Sequence, residues 1–348
     1  MVPGGRGGRS LLVVGAGIPG AVVAWLASVA GFRVTLASLG RPGGRSTALH
    51  PGVVHGAGPP WPPARWPDLP REVLETAARR AREGRSLLHR FLLENDDPVG
   101  FRFLPSGVPL PGGGAIDPAR LSARLAEAGF PVRLDGSVGG LPVLGRSRDA
   151  LLVPRRLVFA LLRSARDRGA EILLGSPVEG WRRGPGGGLV ARVGGEERAF
   201  DHLAWTPDRP PPGTARQGRW RPAIVLFQER AEGPSPLGRI LHGPGGGEVL
   251  APHPARPGRV VLVRRSRVDP AGEVEWPPLP AAFQPFLGSA RRQRLAEVFE
   301  GPADREFPGD ERVAVLSGLA GWPVAAVFGL GADLLRSWGG SLPAPGGG

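Results

Sequence analysis

A glycine-rich turn near the N-terminus is the clearest place in the sequence where chemistry could occur. Its sequence is Gly15-Ala16-Gly17-Ile18-Pro19-Gly20, between an apolar run at Leu11–Val14 and a helical segment at Ala21–Ala30. In such a turn the first glycine permits the tight bend, the second lets the backbone approach a diphosphate, and the third lets helix and strand pack closely. The helix N-terminus adds free amides and the positive end of the helix dipole. The turn therefore predicts a dinucleotide-binding site.

The residues around this turn support the prediction and qualify it. Arg33–Ala37 alternates in hydrophobicity and predicts a second strand, which completes the strand–helix–strand unit that the glycine pattern requires. Pro19 suits the first helical turn because its missing N–H is not needed there, but it cannot donate to phosphate. Ser38 stands where an acidic residue usually binds the ribose hydroxyls, and Arg41 nearby could instead bind a 2′-phosphate. A nicotinamide dinucleotide phosphate thus stays open, as does a Ser38 with no ligand role.

Composition excludes several other kinds of chemistry. The chain of 348 residues contains no cysteine, so disulfides, thiolate metal sites and cysteine nucleophiles are excluded. Its six histidines show no spacing typical of metal ligands, and we expect no metal. The net charge of +13 comes without any lysine and with many Arg, Ala, Gly and Pro residues, which indicates a compositional skew. We therefore expect no nucleic-acid partner.

Two uncharged stretches are long enough to suggest a membrane span. They are Ser10–Phe32 and 313–332, and both are interrupted by glycines and a proline. Such residues break a spanning helix, whereas a buried parallel strand followed by a turn and a helix has the same hydropathy. We therefore predict no integral membrane segment and a cytoplasmic protein.

The rest of the chain alternates helical and strand-like patterns. Helical patterns or helix start and stop residues are found at Glu72–Glu94, Asp117–Glu127, Pro154–Arg168, Arg291–Phe299 and Val324–Trp338. Patterns typical of strands are found at Leu151–Val153, Glu171–Leu174, Ala191–Val193, Arg198–Ala204, Ala223–Glu229, Arg259–Arg264 and Val313–Ser317. This order predicts an α/β fold whose nucleotide-binding domain is assembled from separate segments, with a second domain inserted between them.

Four blocks of sequence occur in an order and spacing that is more specific than any one of them. They are Val13–Gly20 with Ala24, Gly43–Gly52, Leu152–Pro154 with Gly169–Ile172 and Pro177–Val178, and Gly318–Pro323 with Gly329 and Ala332. Together they resemble the D-amino-acid oxidase-like (glycine oxidase-like) family of FAD-dependent oxidoreductases. The resemblance implies a discontinuous Rossmann-like FAD-binding domain at 9–56, 150–208 and 311–340. It also implies an inserted antiparallel-sheet substrate domain at 57–149 and 209–310, and we expect a disordered tail at 341–348.

The same resemblance implies FAD as the cofactor and indicates the residues that bind it. The expected FAD-binding residues are Gly15, Gly17, Ile18, Pro19, Gly20, Ser38, Arg45, Ser46, Thr47, Val178, Gly318, Gly321, Trp322 and Pro323. Catalytic residues are indicated only weakly, and the candidates are His50, His253 and Arg264. His50 lies in the loop expected around the flavin, where it is either a plain loop residue or a point of covalent attachment.

The activity implied is hydride transfer from the C–N unit of an amine or amino acid, a small-molecule substrate, to flavin N5. Such chemistry needs no protein nucleophile and no metal. The sequence also departs from the family pattern, because Ser38 replaces the ribose acid, Pro207 replaces an expected glycine, and no tyrosine can hold a substrate carboxylate. Two alternatives therefore stay open, a catalytically degenerate flavoprotein-like binding or scaffold protein and an NAD(P)-dependent dehydrogenase. No oligomeric state is indicated.

Overall fold

The chain folds into α-helices packed against separate β-sheets. The structure is a computed structural model that describes residues 8–56, 58–60, 63–96, 99–110, 117–212, 221–233, 236–243, 248–269, 273–274, 276, 278–300, 310–316, 319 and 323–343. The strands are β1 (Ser10–Val14), β2 (Arg33–Ser38), β3 (Arg102–Pro109), β4 (Arg133–Val138), β5 (Leu141–Leu151), β6 (Glu171–Leu174), β7 (Val178–Arg183), β8 (Leu189–Val193), β9 (Glu196–Phe200), β10 (His202–Trp205), β11 (Arg221–Glu232), β12 (Ile240–His242), β13 (Glu248–Pro252), β14 (Arg259–Arg267), β15 (Leu287–Glu300) and β16 (Val313–Val315). The α-helices are α1 (Ile18–Val29), α2 (Arg45–Ala48), α3 (Arg71–Glu94), α4 (Pro118–Glu127), α5 (Pro154–Asp167) and α6 (Val324–Ser337).

A parallel sheet of five strands contains the predicted strand–helix–strand unit. Its order is β16-β10-β1-β2-β6, and every neighbouring pair is parallel. Leu11, Leu12 and Val13 of β1 are fully buried, as expected for a parallel strand covered on both faces. Helices α1, α5 and α6 pack over one face. The three-stranded antiparallel sheet β7-β8-β9 packs over the other.

A third sheet has eight strands in the order β15-β11-β14-β13-β12-β3-β5-β4. Its pairs are antiparallel except for β12 and β3, which run parallel. One face, here called the inner face, carries Val261 and Val263, which pack with Val53 and Leu49 of the chain that follows α2. The opposite, outer face carries Leu262, which packs in a separate cluster.

These sheets confirm the predicted α/β fold class, with a discontinuous parallel sheet and additional antiparallel sheets. The parallel sheet takes its strands from three separated parts of the chain, 10–38, 171–205 and 313–315. Four predicted helices correspond to α3, α4, α5 and α6, with ends that differ by one residue. The exact domain boundaries stay predictions.

One predicted strand, Arg198–Ala204, is two strands in the structure. β9 and β10 belong to different sheets, and Asp201 separates them. The Asp201 carboxylate accepts hydrogen bonds from the backbone N–H of Ser10 at 2.7 Å and from its hydroxyl at 2.8 Å. These bonds fix the point where the chain passes from the three-stranded sheet into the parallel sheet beside β1.

The prediction of a helix at Arg291–Phe299 is wrong, since strand β15 occupies this segment. β15 pairs with β11 along nearly its whole length, with Arg294 opposite Phe227 and Leu295 opposite Leu226. Arg, Gln, Leu, Ala and Glu favour a helix only weakly, by fractions of a kcal/mol each. Pairing with a complete neighbouring strand outweighs that local preference.

Helices α3 and α6 approach each other closely at two glycines. A Cβ atom on Gly84 would lie 1.7 Å from the carbonyl oxygen of Ala325. One on Gly329 would lie 2.1 Å from the carbonyl oxygen of Arg80. Only glycine permits this separation, so both helices depend on these positions for their contact.

Replacing Asp333 by Asn is expected to lower the free energy of unfolding by about 2–3 kcal/mol, because a nearly buried carboxylate on α6 pairs with arginines of α3. Asp333 accepts hydrogen bonds from Arg79 at 3.1 Å and from Arg80 at 2.7 Å. Burial acts to raise the pKa of this carboxyl, but the bonds from both arginines hold the pKa below its ordinary value. The stabilisation is therefore present above the unfolded-state pKa and is lost as the pH falls through the lower folded-state pKa.

Urea denaturation at neutral and at acidic pH measures this difference between wild type and variant. The matched control is Asp167→Asn at the exposed end of α5, which we expect to leave stability unchanged. Equal stability of the wild type and the Asp333 variant at neutral pH would contradict the role given to this ion pair.

Three further findings concern earlier expectations. No described helix is long and apolar enough to cross a membrane. Within the described ranges, no group of three or more His, Cys, Asp or Glu residues could hold a metal ion. Of the tail predicted to be disordered, 341–343 are described, and Leu342 packs against the main core; the rest lies outside the described residues.

Candidate functional site

An open cleft lies at the carboxyl edge of the parallel sheet, where β1 ends between β2 and β10. Its volume is about 200 Å³. α/β folds bind ligands in such crevices outside the strand ends, where the connections from neighbouring strands diverge. Of the residues expected to bind FAD, those that line the cleft are Gly15, Gly17, Ile18, Pro19, Ser38, Arg45, Ser46, Thr47 and Val178.

The three glycines of the turn have different structural roles. Gly15 has a φ of +97°, a conformation that favours glycine, and its N–H donates to the carbonyl oxygen of Ala37 at 2.8 Å. Gly20 lies behind the cleft, since a Cβ atom there would come within 1.9 Å of the Gly15 carbonyl oxygen. A Cβ atom on Gly17 would meet the Thr47 hydroxyl oxygen at 3.2 Å and little else. The turn thus presents bare backbone to the cleft at Gly17.

The loop that leads into α2 is hydrogen-bonded to this turn. The N–H of Gly43 donates to the carbonyl oxygen of Ala16 at 2.9 Å. The N–H of Ile18 donates to the hydroxyl oxygen of Thr47 at 3.1 Å. Because the Thr47 oxygen accepts this bond, its own proton is available to a ligand in the cleft. Thr47 therefore connects the N-terminus of α1 to the opposite wall.

Charges along the cleft are mainly positive. Arg41 and Arg45 are exposed at its edge, and Arg209 lies with its guanidinium 5.7 Å from the ring centre of Trp205. Asp208 is the acidic residue that lines the cleft. The positive end of the α1 dipole adds to this excess, so the cleft suits an anionic group such as a diphosphate.

The far end of the cleft, beside β2, lacks the expected acid. The Ser38 hydroxyl donates to the carbonyl oxygen of Gly40 at 3.1 Å, which leaves its oxygen lone pairs to accept from a ligand. The Ser38 carbonyl accepts the N–H of Ser176 at 3.2 Å, and buried Val178 follows on the same wall. This end offers single hydrogen bonds and an apolar contact in place of a carboxylate.

The C-terminal part of the chain also contributes to the cleft, through Leu319 and Val327. Pro323 is not among the residues that line the cleft, and it packs against the loop after α2. A Cβ atom on Gly56 would lie 2.7 Å from the Pro323 ring, and the next residue, Val324, donates its N–H to Val53 at 3.0 Å. The other three C-terminal residues expected to bind FAD, Gly318, Gly321 and Trp322, lie outside the described residues.

The three catalytic candidates are not brought together. His50 lines the cleft, and its Nδ1 accepts the N–H of Gly52 at 2.9 Å. His253 lies in the turn between β13 and β14, where its Nδ1 accepts the N–H of Ala255 at 3.1 Å. Arg264 is on the outer face of the eight-stranded sheet, opposite Glu248 and over the ring of Trp276. Only His50 is therefore part of the cleft.

The end of β10 contributes Thr206, which is not among the residues that the sequence predicts to bind FAD. Thr206 follows β10, and its hydroxyl donates to the carbonyl oxygen of Val14 at 2.6 Å. Pro207, the residue that stands in place of an expected glycine, lines the cleft beside it. Both residues follow the carboxyl end of β10, which pairs with β1. Ligands bind at such strand ends, so knowledge of this pairing would have indicated both residues.

Comparison with known proteins agrees with this geometry. The sequence profile of one protein family, described as FAD dependent oxidoreductase, matches residues 10–206, more than half of the chain. No curated protein matches the chain in sequence. The profile covers the glycine turn, the α2 loop and β10, which are the segments that form most of the cleft.

Solved structures of similar fold include three oxidases. The L-alpha-glycerophosphate oxidase of Mycoplasma pneumoniae, with FAD bound, has a TM-score of 0.71 and 12% identity over 97% of this chain and 96% of its own. The glycine oxidase of Geobacillus kaustophilus has a TM-score of 0.69 and 16% identity over 96% of both chains. The iminodiacetate oxidase of Chelativorans sp. BNC1 has a TM-score of 0.65 and 17% identity over 96% of both chains. These structures share the fold, and with the family match they lead to one conclusion: the chain belongs to the FAD-dependent oxidoreductase family and is a flavoprotein whose cofactor is FAD.

Proposed function

We propose that this chain oxidises the C–N unit of an amine or amino acid, with FAD bound along the cleft. The observation that carries the proposal is the course of the chain after α2. His50 of this segment lines the cleft, and its neighbours Leu49 and Val53 pack against the inner face of the eight-stranded sheet. A substrate held between that sheet and the cofactor would be shielded from water, which strengthens every polar contact around it. Two similar solved structures, a glycine oxidase and an iminodiacetate oxidase, are named for substrates of this class.

We assign the diphosphate of FAD to the backbone of Gly15–Gly20 and to the Thr47 hydroxyl. Arg45 supplies positive charge beside them, and Ser38 and Val178 are assigned to the adenosine end. The support is chemical, because free amides, a hydroxyl proton and a helix N-terminus all favour a phosphate oxygen.

Bound FAD supplies the acceptor for a hydride from the carbon next to nitrogen. The role of the protein is to bind the substrate, to orient that C–H bond and to exclude water. The amine must be neutral for this transfer, so we expect the rate of reduction to rise with pH towards the pKa of the substrate amine.

The test is anaerobic mixing of the FAD-loaded protein with amines, amino acids, N-methyl amino acids, L-alpha-glycerophosphate and NADPH. We expect at least one nitrogen compound to bleach the flavin absorbance. Bleaching by L-alpha-glycerophosphate alone would contradict C–N oxidation, and reduction by NADPH alone would favour a nicotinamide-linked enzyme. Failure of every compound would support a catalytically degenerate flavoprotein.

A further inference from the structure

Helix α5 carries a row of exposed arginines on its outer side. Its sequence contains four arginines, no glutamate and one aspartate, Asp167, which is its last residue. Apart from that aspartate, the exposed residues of α5 are Arg155, Arg156, Phe159, Arg163 and Arg166. These five positions fall within an arc of about 100° and along a length of about 16 Å of the helix surface. We call this group the arginine ridge.

The packing of α5 fixes the arginine ridge on the outside of the protein. The other side of the helix is part of the main core, where Leu157, Val158 and Leu161 are fully buried. The apolar side of α5 is therefore already covered by its own fold. What α5 can offer to a partner is the arginine ridge alone.

The charge of the arginine ridge is not balanced along its own helix. On α3, by contrast, Arg71 pairs with Glu75 at 2.7 Å and Arg90 with Glu94 at 2.6 Å, each four residues further on. On α5 only Arg163 has an acid at this spacing, which is Asp167. The surface of α5 therefore keeps a net charge of +3.

The positive surface continues from the arginine ridge to the edge of the cleft. A Cβ atom on Gly43 would lie 2.9 Å from Cγ of Arg155, so the loop before α2 packs against the first arginine of the ridge. Arg41 and Arg45 stand on either side of Gly43 and are both exposed. The ridge and this loop together form one continuous basic surface.

Apolar side chains are exposed within and beside this basic surface. Phe159, in the middle of the arginine ridge, is 48% exposed, and the Arg155 guanidinium lies 5.7 Å from its ring centre. At the other end of α5, Arg168 pairs with Glu94 of α3 at 3.5 Å, and the preceding residue, Leu93, is 88% exposed. Aromatic and leucine side chains among arginines are typical of surfaces that meet lipid headgroups.

The shape of the arginine ridge favours a lipid surface over a protein. A helix surface is convex, and a protein partner would need a groove with acids placed to match each arginine. A fluid bilayer that contains anionic lipids can bring a headgroup to every arginine without such a groove. Each arginine close to such a surface strengthens binding by about fivefold.

We propose that the arginine ridge docks this protein on an anionic membrane surface. The arginines face the lipid phosphates, and the ring of Phe159 enters the headgroup region. Such docking needs no spanning helix, and it does not depend on which substrate the cleft oxidises. It places the edge of the cleft at Arg41 and Arg45 near the lipid.

The test is co-sedimentation of the FAD-loaded protein with vesicles of phosphatidylcholine alone and with vesicles that contain about one-third phosphatidylglycerol. We expect binding to the mixed vesicles only, and we expect it to weaken as the salt concentration rises. The double variant Arg156→Glu/Arg166→Glu should weaken binding by about 30-fold or more. Phe159→Ser should weaken it by about fivefold and leave its salt dependence unchanged.

The matched control is Arg120→Glu/Arg133→Glu, which reverses two exposed arginines on α4 and β4 and gives the same net charge. It should bind vesicles nearly as the wild type does. Circular dichroism and flavin absorbance check the fold of each variant, and Arg156→Gln/Arg166→Gln replaces the charge reversal if that variant does not fold.

Three results would overturn the proposal. The first is no binding to the mixed vesicles; if poly-glutamate binds in their place, the arginine ridge is a site for an acidic protein. The second is equal binding to vesicles of phosphatidylcholine alone. The third is a loss in the control variant as large as that in the ridge variant, which would show that binding follows net charge and not this surface.

Discussion

Replacing Gly17 by Asp is expected to abolish FAD retention, lowering affinity about 100-fold or more, while the fold stays intact. Gly17 is the N-cap residue of α1, with φ −85° and ψ −173° and no side-chain cap. An Asp here gains little as a helix cap, because Pro19 has no N–H and the Ile18 N–H already donates to Thr47. We therefore expect the free energy of unfolding to change by only about a few tenths of a kcal/mol. The added carboxylate would stand where the diphosphate is assigned, so it would repel the phosphates and fill the space in which they would lie.

Gly17→Asn is the matched control, because Asn has the same size as Asp but carries no charge. We expect it to lose about tenfold in affinity, mainly from the space it fills. Fluorescence titration of the FAD-free protein measures both affinities, and thermal unfolding checks the fold. Wild-type affinity in the Asp variant would show that the diphosphate does not lie at this turn.

Replacing Gly20 by Ala is expected to lower the free energy of unfolding by about 3 kcal/mol or more. A Cβ atom at this position would lie 1.9 Å from the Gly15 carbonyl oxygen and 2.8 Å from the Thr206 hydroxyl oxygen. The helix would have to move away from β1, which opens the most buried part of the core. In a helix without such a clash, alanine is more stable than glycine by about 1 kcal/mol. A loss of stability in this variant can therefore be attributed to the clash.

The control for this variant is Gly180→Ala in β7, where an added Cβ meets nothing within 4 Å. Denaturant unfolding should place this control close to the wild type. A Gly20→Ala protein as stable as the wild type would mean that α1 does not pack on the turn as closely as described.

The glycine turn could be predicted because its signal is local. Strand, turn and helix follow each other in about twenty residues, and this geometry imposes the positive φ of Gly15 and the close approach at Gly20. The fold class was predictable for a related reason, since the order of patterns already implied a discontinuous parallel sheet.

Residues that reach the site through long-range pairing could not be predicted in the same way. Thr206 is 191 positions from Gly15 and enters the site only because β10 pairs with β1. The same applies to Arg264, whose face depends on strand register. Arg265, its neighbour, is opposite Val225 and therefore points to the inner face.

The error at β15 has a different cause. Its residues prefer a helix when taken alone, and the strand exists only because β11 offers a complete edge to pair with.

The most direct test of the central claim is a crystal structure of the protein with FAD. We predict that the diphosphate lies against the backbone of Gly15–Gly20 with an oxygen within hydrogen-bond distance of the Thr47 hydroxyl. We also predict that Leu319 and Val327 lie along the bound cofactor. FAD bound elsewhere, with the cleft beside β1 filled only by water, would contradict the account.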